Sequence, residues 1–137
     1  MPQVSIISAK RTPVGRFLGG YSKTPATKLG SIAISSAIKG TSVNTEKIER
    51  CLMGTVLQAD LGQNPSRQAA LGGGLSENID AMTVNKVCGS GLESAMILST
   101  EIAAGRVDYG VAGGMENMTR APHTLYARGG LNMAMGS

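Results

Sequence analysis

The period of apolar positions changes repeatedly along this chain, and each change marks an element. Val4-Ser-Ile-Ile-Ser8 is a β-branched run that reads as a strand, followed by a polar, glycine-bearing loop over residues 10–24. Thr24-Pro25 has the form of an N-cap with proline at the first helical position. Leu29, Ile32, Ala33 and Ala37 then recur at helical spacing until Gly40. Residues 44–50 are polar with a short helical character, and Cys51 to Leu57 reads as a buried strand with one glycine for close approach. Asn64-Pro65 repeats the cap-and-proline signature, opening a helix of small residues through Arg67-Gln-Ala-Ala70 that ends at Gly72-Gly-Gly74.

A third strand is predicted over Ile79–Asn85. Ser90-Gly-Leu-Glu93 then has the spacing of a capping box, which predicts a helix start at Ser90. Leu92, Ala95, Met96, Ile97, Leu98, Ile102, Ala103 and Ala104 occupy almost every azimuth of that helix before Gly105 stops it, so it should be buried all round. Asp108–Gly114 reads as a fourth strand, and residues 115–137 carry no periodicity and read as irregular. The order βαβαβαβ predicts an α/β unit with parallel strands joined by crossover helices. Four strands and three crossovers cover only part of a helix that is apolar on every side, so something further must pack against it.

The length of 137 residues suits one domain, and 42% hydrophobic residues with a mean hydropathy of +0.03 exclude a disordered chain. Only 16% of residues are charged, which again points to a face meant for burial. One Phe, 3 Tyr and no Trp leave the core to aliphatic residues, 8 Met and close contacts at the 19 Gly. The 13 Lys and Arg against 9 Asp and Glu give a net charge of +4, but the basic residues are scattered, with neither the stripe nor the aromatics of a nucleic-acid interface. Two cysteines make no disulfide framework, the single His offers no metal-ligand spacing, and no apolar run approaches a membrane span. No charged-then-apolar leader pattern opens the chain, so a reducing, cytoplasmic setting is expected.

The candidate chemistry centres on Cys88. It falls in the tight turn between a strand end and a helix start, where α/β folds place reactive groups. The helix macrodipole favours a thiolate there, and Lys86 adds to it if it faces the same side. The backbone N–H of Cys88 is a candidate oxyanion donor, because the adjoining glycines leave its approach open. Cys51, inside an apolar strand, reads as a small hydrophobe. His123 would serve Cys88 as a base only if the tail folded over it, and a loop histidine with structural hydrogen bonds is the plainer reading. Met115, Met118, Met133 and Met135 read as packing residues, with a pocket-lining role as the weaker option. Gly89-x-Gly91-x-x-Ser94 is a degraded dinucleotide fingerprint: its third glycine is Ser94, and Asp108 stands at the wrong end of the next strand, so a nucleotide-binding module is kept only as a weak alternative.

Five segments together resemble the thiolase family: Arg11-Thr-Pro-Val-Gly15, Met53-Gly-x-Val56, Gly62-Gln-Asn-Pro-x-Arg-Gln-Ala69, Val84-Asn-Lys-Val-Cys-Gly-Ser-Gly-Leu92 and Val111-Ala-Gly-Gly-Met-Glu-Asn-Met118. Their order and spacing span nearly the whole chain, and Cys88-Gly-Ser-Gly91 separates it from ketosynthases with their Cys-Ser-Ser type turn. The resemblance implies that Cys88 accepts an acyl group from acyl-CoA as a thioester, with Claisen condensation onto a second acyl-CoA or the reverse thiolysis. It implies an acetyl-CoA acetyltransferase-like activity with no metal or redox cofactor, coenzyme A thioesters being substrates.

The fold it implies is the N-terminal βαβαβαβ half of a five-layered αβαβα architecture, with residues 1–118 forming the half-domain and 119–137 opening an irregular loop region. Absent from the chain are the last strand of this half and the whole second half, with its activating histidine, asparagine oxyanion motif and second cysteine. A second polypeptide is expected to supply them, in a hetero-oligomer built as a dimer or tetramer of pairs. The third strand and the Gln63-Asn64 loop are expected at the subunit contact. Met1 reads as a natural start, which favours a split enzyme over a fragment; a non-catalytic scaffold or regulatory subunit is the alternative. The residues that shape the acyl pocket are not identifiable from this sequence.

Overall fold

A computed structural model describes residues 3–124. The elements in chain order are α1 (Ala26–Lys39), a 3-10 turn at Thr45–Lys47, β1 (Arg50–Gly54), α2 (Pro65–Gly72), β2 (Asp80–Val84), α3 (Ser90–Ala103), β3 (Gly110–Gly114) and a 3-10 turn at Met118–Arg120. The three strands form a parallel sheet in the order β2-β1-β3, and their C-terminal ends are level: Gly54 is in register with Val84 on one side and Gly114 on the other.

Neighbouring residues of β1 point to opposite faces, which sorts the helices into layers. Cys51 and Met53 face a core shared with Ala26 and Ile34 of α1, Ala69 and Ala70 of α2, and the flanking Ile48, Leu75, Ile79 and Met115. Gly54 faces the start of α3: a Cβ at this position would lie 2.4 Å from the Ser90 carbonyl carbon and 2.6 Å from the Gly91 nitrogen. A Cβ on Gly114 would likewise lie 3.2 Å from the Gly91 Cα. The first turn of α3 therefore rests backbone-on-backbone against two strand ends, an approach that at Gly54 is open only to glycine and at Gly114 is tight. At the other end of β1, the Arg50 guanidinium donates to Glu101 of α3 at 2.9 and 3.2 Å and also pairs with Asp80 of β2, tying the helix to two strands.

Three of the four expected strands form, close to the predicted positions. The first does not: residues 4–8 have no strand neighbour among the described residues, and Ile6 is 87% exposed. A β-branched run has the propensity for a strand but becomes one only with a partner to share its ladder. The start of α1 also differs. Pro25 itself is the N-cap residue with no side-chain cap, and Thr24 instead offers its carbonyl to Asn117 Nδ2 at 2.7 Å. Asn64 caps α2 as its sequence implies, accepting from Arg67 N–H with Pro65 in the first turn. The expected all-round burial of α3 is not met within this chain: Ser90, Ser94 and Leu98 are buried, whereas Leu92 is 71% and Met96 55% exposed. Within the segment expected to be irregular, a 3-10 turn forms at Met118–Arg120 and residues 121–124 carry no helix or strand, while 125–137 lie outside the described residues.

The backbone contact at Gly54 gives a direct test. Gly54→Ala should destabilise the fold by about 2–3 kcal/mol or more, since the new methyl has only main chain to displace. Gly20→Ala, at a position with nothing within 4 Å, should stay within about 0.5 kcal/mol. Urea unfolding of both variants checks this, and equal effects would contradict the packing described.

Candidate active site

The turn from β2 to α3 holds Cys88 at the level of the strand ends. Cys88 is exposed, in contrast to Cys51, which is fully buried in β1. The turn is built by short-range hydrogen bonds. Val87 N–H donates to Asn85 Oδ1 at 3.0 Å, Gly89 N–H to the Lys86 carbonyl at 3.1 Å, and Ser90 N–H to the Val87 carbonyl at 3.1 Å. Lys86 N–H donates to Ser90 Oγ at 2.8 Å, and that hydroxyl donates to the Val87 carbonyl at 2.5 Å. The N–H groups on both sides of Cys88 are thus occupied, while its own takes no acceptor among the described residues.

Two expectations for this turn are corrected. Ser90 does not cap α3 through a capping box: the N-cap residue is Gly89, and the Ser90 side chain turns back into the turn that precedes the helix. Glu93 does not reach back to the cap either, because it is paired with Lys86 Nζ at 2.5 Å. That pair also directs the Lys86 charge at Glu93 rather than at the Cys88 sulfur. His123 is exposed in the segment after the last 3-10 turn and makes no hydrogen bond to the Cys88 turn among the described residues. The dinucleotide reading loses its second glycine, because Gly91 faces the backbone of Gly114 instead of an open phosphate site.

The loops beside the strand ends are fastened by two residues to which sequence reasoning gave no role. The Glu116 carboxylate, just past β3, accepts from Thr55 Oγ1 at 3.0 Å, Val56 N–H at 2.8 Å and Leu57 N–H at 3.3 Å, which fixes the loop after β1. Asn117 Nδ2 donates to the carbonyls of Tyr21 at 2.8 Å and Thr24 at 2.7 Å, which holds the long N-terminal loop. A Glu-Asn pair directly after a Gly-Gly strand end was the available signal. Met115 is core and Met118 is exposed, and both line a cleft of about 430 Å³ with Arg11, Val14, Phe17 and Leu29, so Met115 packs and borders the cleft at once.

No group of His, Cys, Asp and Glu suited to hold a metal ion occurs among the described residues, and no described helix is long and apolar enough to cross a membrane. A polar turn presenting an exposed thiol beside an unoccupied backbone N–H, at the carboxyl end of a parallel sheet, is suited to covalent acyl transfer.

Residues 4–136 match the family model described as thiolase, N-terminal domain, and the chain belongs to that family. Among its relatives, the acetyl-CoA acetyltransferase of Cupriavidus necator is 49% identical over 125 residues, covering 91% of this chain and 32% of that protein. The acetyl-CoA acetyltransferase of Escherichia coli is 47% identical over 128 residues, 93% of this chain and 32% of the relative. The mitochondrial acetyl-CoA acetyltransferase of Homo sapiens is 47% identical over 125 residues, 91% of this chain and 29% of the relative. The chain thus spans about a third or less of the length of the relatives it matches.

The contrast between the two thiols is measurable. Burial pushes the Cys51 thiol up from 9.0 to about 11, with a weaker opposing effect from the Ser66 hydroxyl. The folded state therefore holds the Cys51 proton more tightly than the unfolded chain does. Its contribution to stability is complete below pH 9 and is lost as the pH rises toward about 11, a loss of roughly 2–3 kcal/mol in all. Urea unfolding between pH 8 and 11 should show that decline, and Cys51→Ala should flatten it. An unchanged slope in Cys51→Ala would contradict the assignment.

Proposed function

We propose that this chain supplies the nucleophile of an acetyl-CoA acetyltransferase-type thiolase, with Cys88 as the acyl carrier. The observation that carries the reading is the turn itself: the one exposed cysteine stands at the strand ends with its own N–H unoccupied while the neighbouring N–H groups are taken. In the forward reaction Cys88 Sγ adds to the thioester carbonyl of an acyl-CoA, the carbonyl oxygen becoming an oxyanion that the Cys88 N–H stabilises. Collapse of that adduct breaks the carbon–sulfur bond to coenzyme A, which leaves as its thiol, and the acyl group remains on Cys88. The enolate of a second acyl-CoA then attacks the Cys88 thioester, forming a carbon–carbon bond and releasing the Cys88 sulfur. Thiolysis of a 3-ketoacyl-CoA is the same sequence in reverse. The chain's own residues bind and activate the acyl group in this scheme, and no metal or redox cofactor takes part.

The proton transfers require groups that the described residues do not bring to Cys88. In the proposed assembly a second polypeptide carries the C-terminal thiolase half, with the histidine that activates Cys88, the second cysteine and the asparagine-containing oxyanion motif. The pairs associate further as a dimer or tetramer. The position of β2 at the sheet edge, with Asn64 Nδ2 donating to the Ala81 carbonyl at 2.9 Å beside it, supports a contact through that strand and the Gln63-Asn64 loop. A reducing compartment keeps both thiols free; the cytoplasm meets that need, as does the mitochondrion, for which several relatives are named.

Incubation of the purified assembly with acetyl-CoA should add one acetyl group to Cys88, located by peptide mass. Cys88→Ala should abolish the adduct and reduce thiolysis by about 10³-fold or more. An adduct that persists in Cys88→Ala overturns the reading. So does unchanged thiolysis, which would make this chain a scaffolding or regulatory subunit.

A further inference from the structure

Val87 is held in a conformation that its own side chain disfavours. Its φ is +51°, in the left-handed region, where a non-glycine residue pays about 1–2 kcal/mol and a β-branched one is a marked outlier. No packing compensates, because the Val87 side chain is exposed. The restraint comes from the backbone partners: Asn85 Oδ1 on its N–H, and two donors from Ser90, the N–H at 3.1 Å and the hydroxyl at 2.5 Å, on its carbonyl. Ser90 is itself fixed, being the buried first residue of α3 packed on Gly54, with its oxygen also accepting from Lys86 N–H.

The Val87 carbonyl and the Cys88 N–H belong to one planar trans peptide group, so they point in opposite directions. Clamping the carbonyl toward Ser90 therefore turns the Cys88 N–H away from the turn. We propose that Ser90 is a positioning residue whose hydroxyl, by holding the Val87–Cys88 peptide in its strained orientation, aims the Cys88 N–H at the site of the thioester oxygen. This inference rests on the reading of Cys88 as the acyl carrier. It also gives Ser90 a use that accounts for its absence from the helix cap.

The test compares two reactions of the same sulfur in the purified assembly. Acetylation by acetyl-CoA develops an oxyanion and needs the aimed N–H; alkylation by iodoacetamide needs only an accessible sulfur. Ser90→Ala should slow Cys88 acetylation by about tenfold or more, with the alkylation rate within about twofold of wild type. Adding Val87→Gly, which accepts a positive φ without strain, should restore most of the lost acetylation. Acetylation at the wild-type rate in Ser90→Ala overturns the proposal, as does a parallel loss of both reactions, which would mark a merely structural residue. If Ser90→Ala does not fold, the Val87→Gly/Ser90→Ala double variant decides: near wild-type acetylation supports the clamp, and its failure to fold or to acetylate overturns it. Acetylation that survives in Cys88→Ala is a separate result, refuting the acyl-carrier reading itself.

Discussion

The structure depends on one close contact, the seating of the first turn of α3 on the ends of β1 and β3. Gly54, Gly91 and Gly114 meet there without side chains between them, at distances that a Cβ on Gly54 would reduce to 2.4 Å. Because the helix comes so near the sheet, the turn that feeds it from β2 is short, and the short turn leaves Cys88 exposed at the level of the strand ends. The position of the thiol thus follows from main-chain packing rather than from any contact of the cysteine side chain. The Arg50–Glu101 pair at the far end of the same helix fixes its direction, so that α3 is held at both ends.

Around that contact the polar groups are spent on order rather than on the thiol. Glu116 and Asn117 leave β3 and take hold of the loops after β1 and before α1, bringing three remote segments to one rim. Lys86 and Glu93 satisfy each other. Among the described residues, no side chain of this rim hydrogen-bonds to the Cys88 thiol. On the outward faces, Ile6, Leu92 and Met96 are exposed where a larger fold would have apolar surface to bury.

The parts of the fold legible in the sequence were those specified by local chemistry. Asn64-Pro65 caps α2 because the amide oxygen reaches Arg67 N–H within one turn, and Gly105 follows α3 with a φ of +70° that it adopts freely. The strand at Cys51 was legible because a buried parallel strand is a continuous apolar run, whereas those at Ile79 and Asp108, only partly buried, were marked by the short stretches between helix and loop signals. What failed needed a partner from elsewhere in the chain or a choice between two local uses of one group. Residues 4–8 have strand propensity without a partner, Thr24 is drawn to Asn117 far along the sequence, and Ser90 has two uses for one hydroxyl, of which the structure takes the turn. The place of Cys88 between strand and helix was readable from spacing, whereas the hydrogen-bond pattern that leaves its N–H unoccupied was not.

The most direct measurement is a crystal structure of the assembled protein trapped with acetyl-CoA. The account predicts continuous density from Cys88 Sγ to an acetyl group, with its carbonyl oxygen at hydrogen-bond distance, about 2.7–3.1 Å, from the Cys88 nitrogen. Density for the acetyl group on any other residue, or a thioester whose oxygen turns away from that N–H, would contradict it.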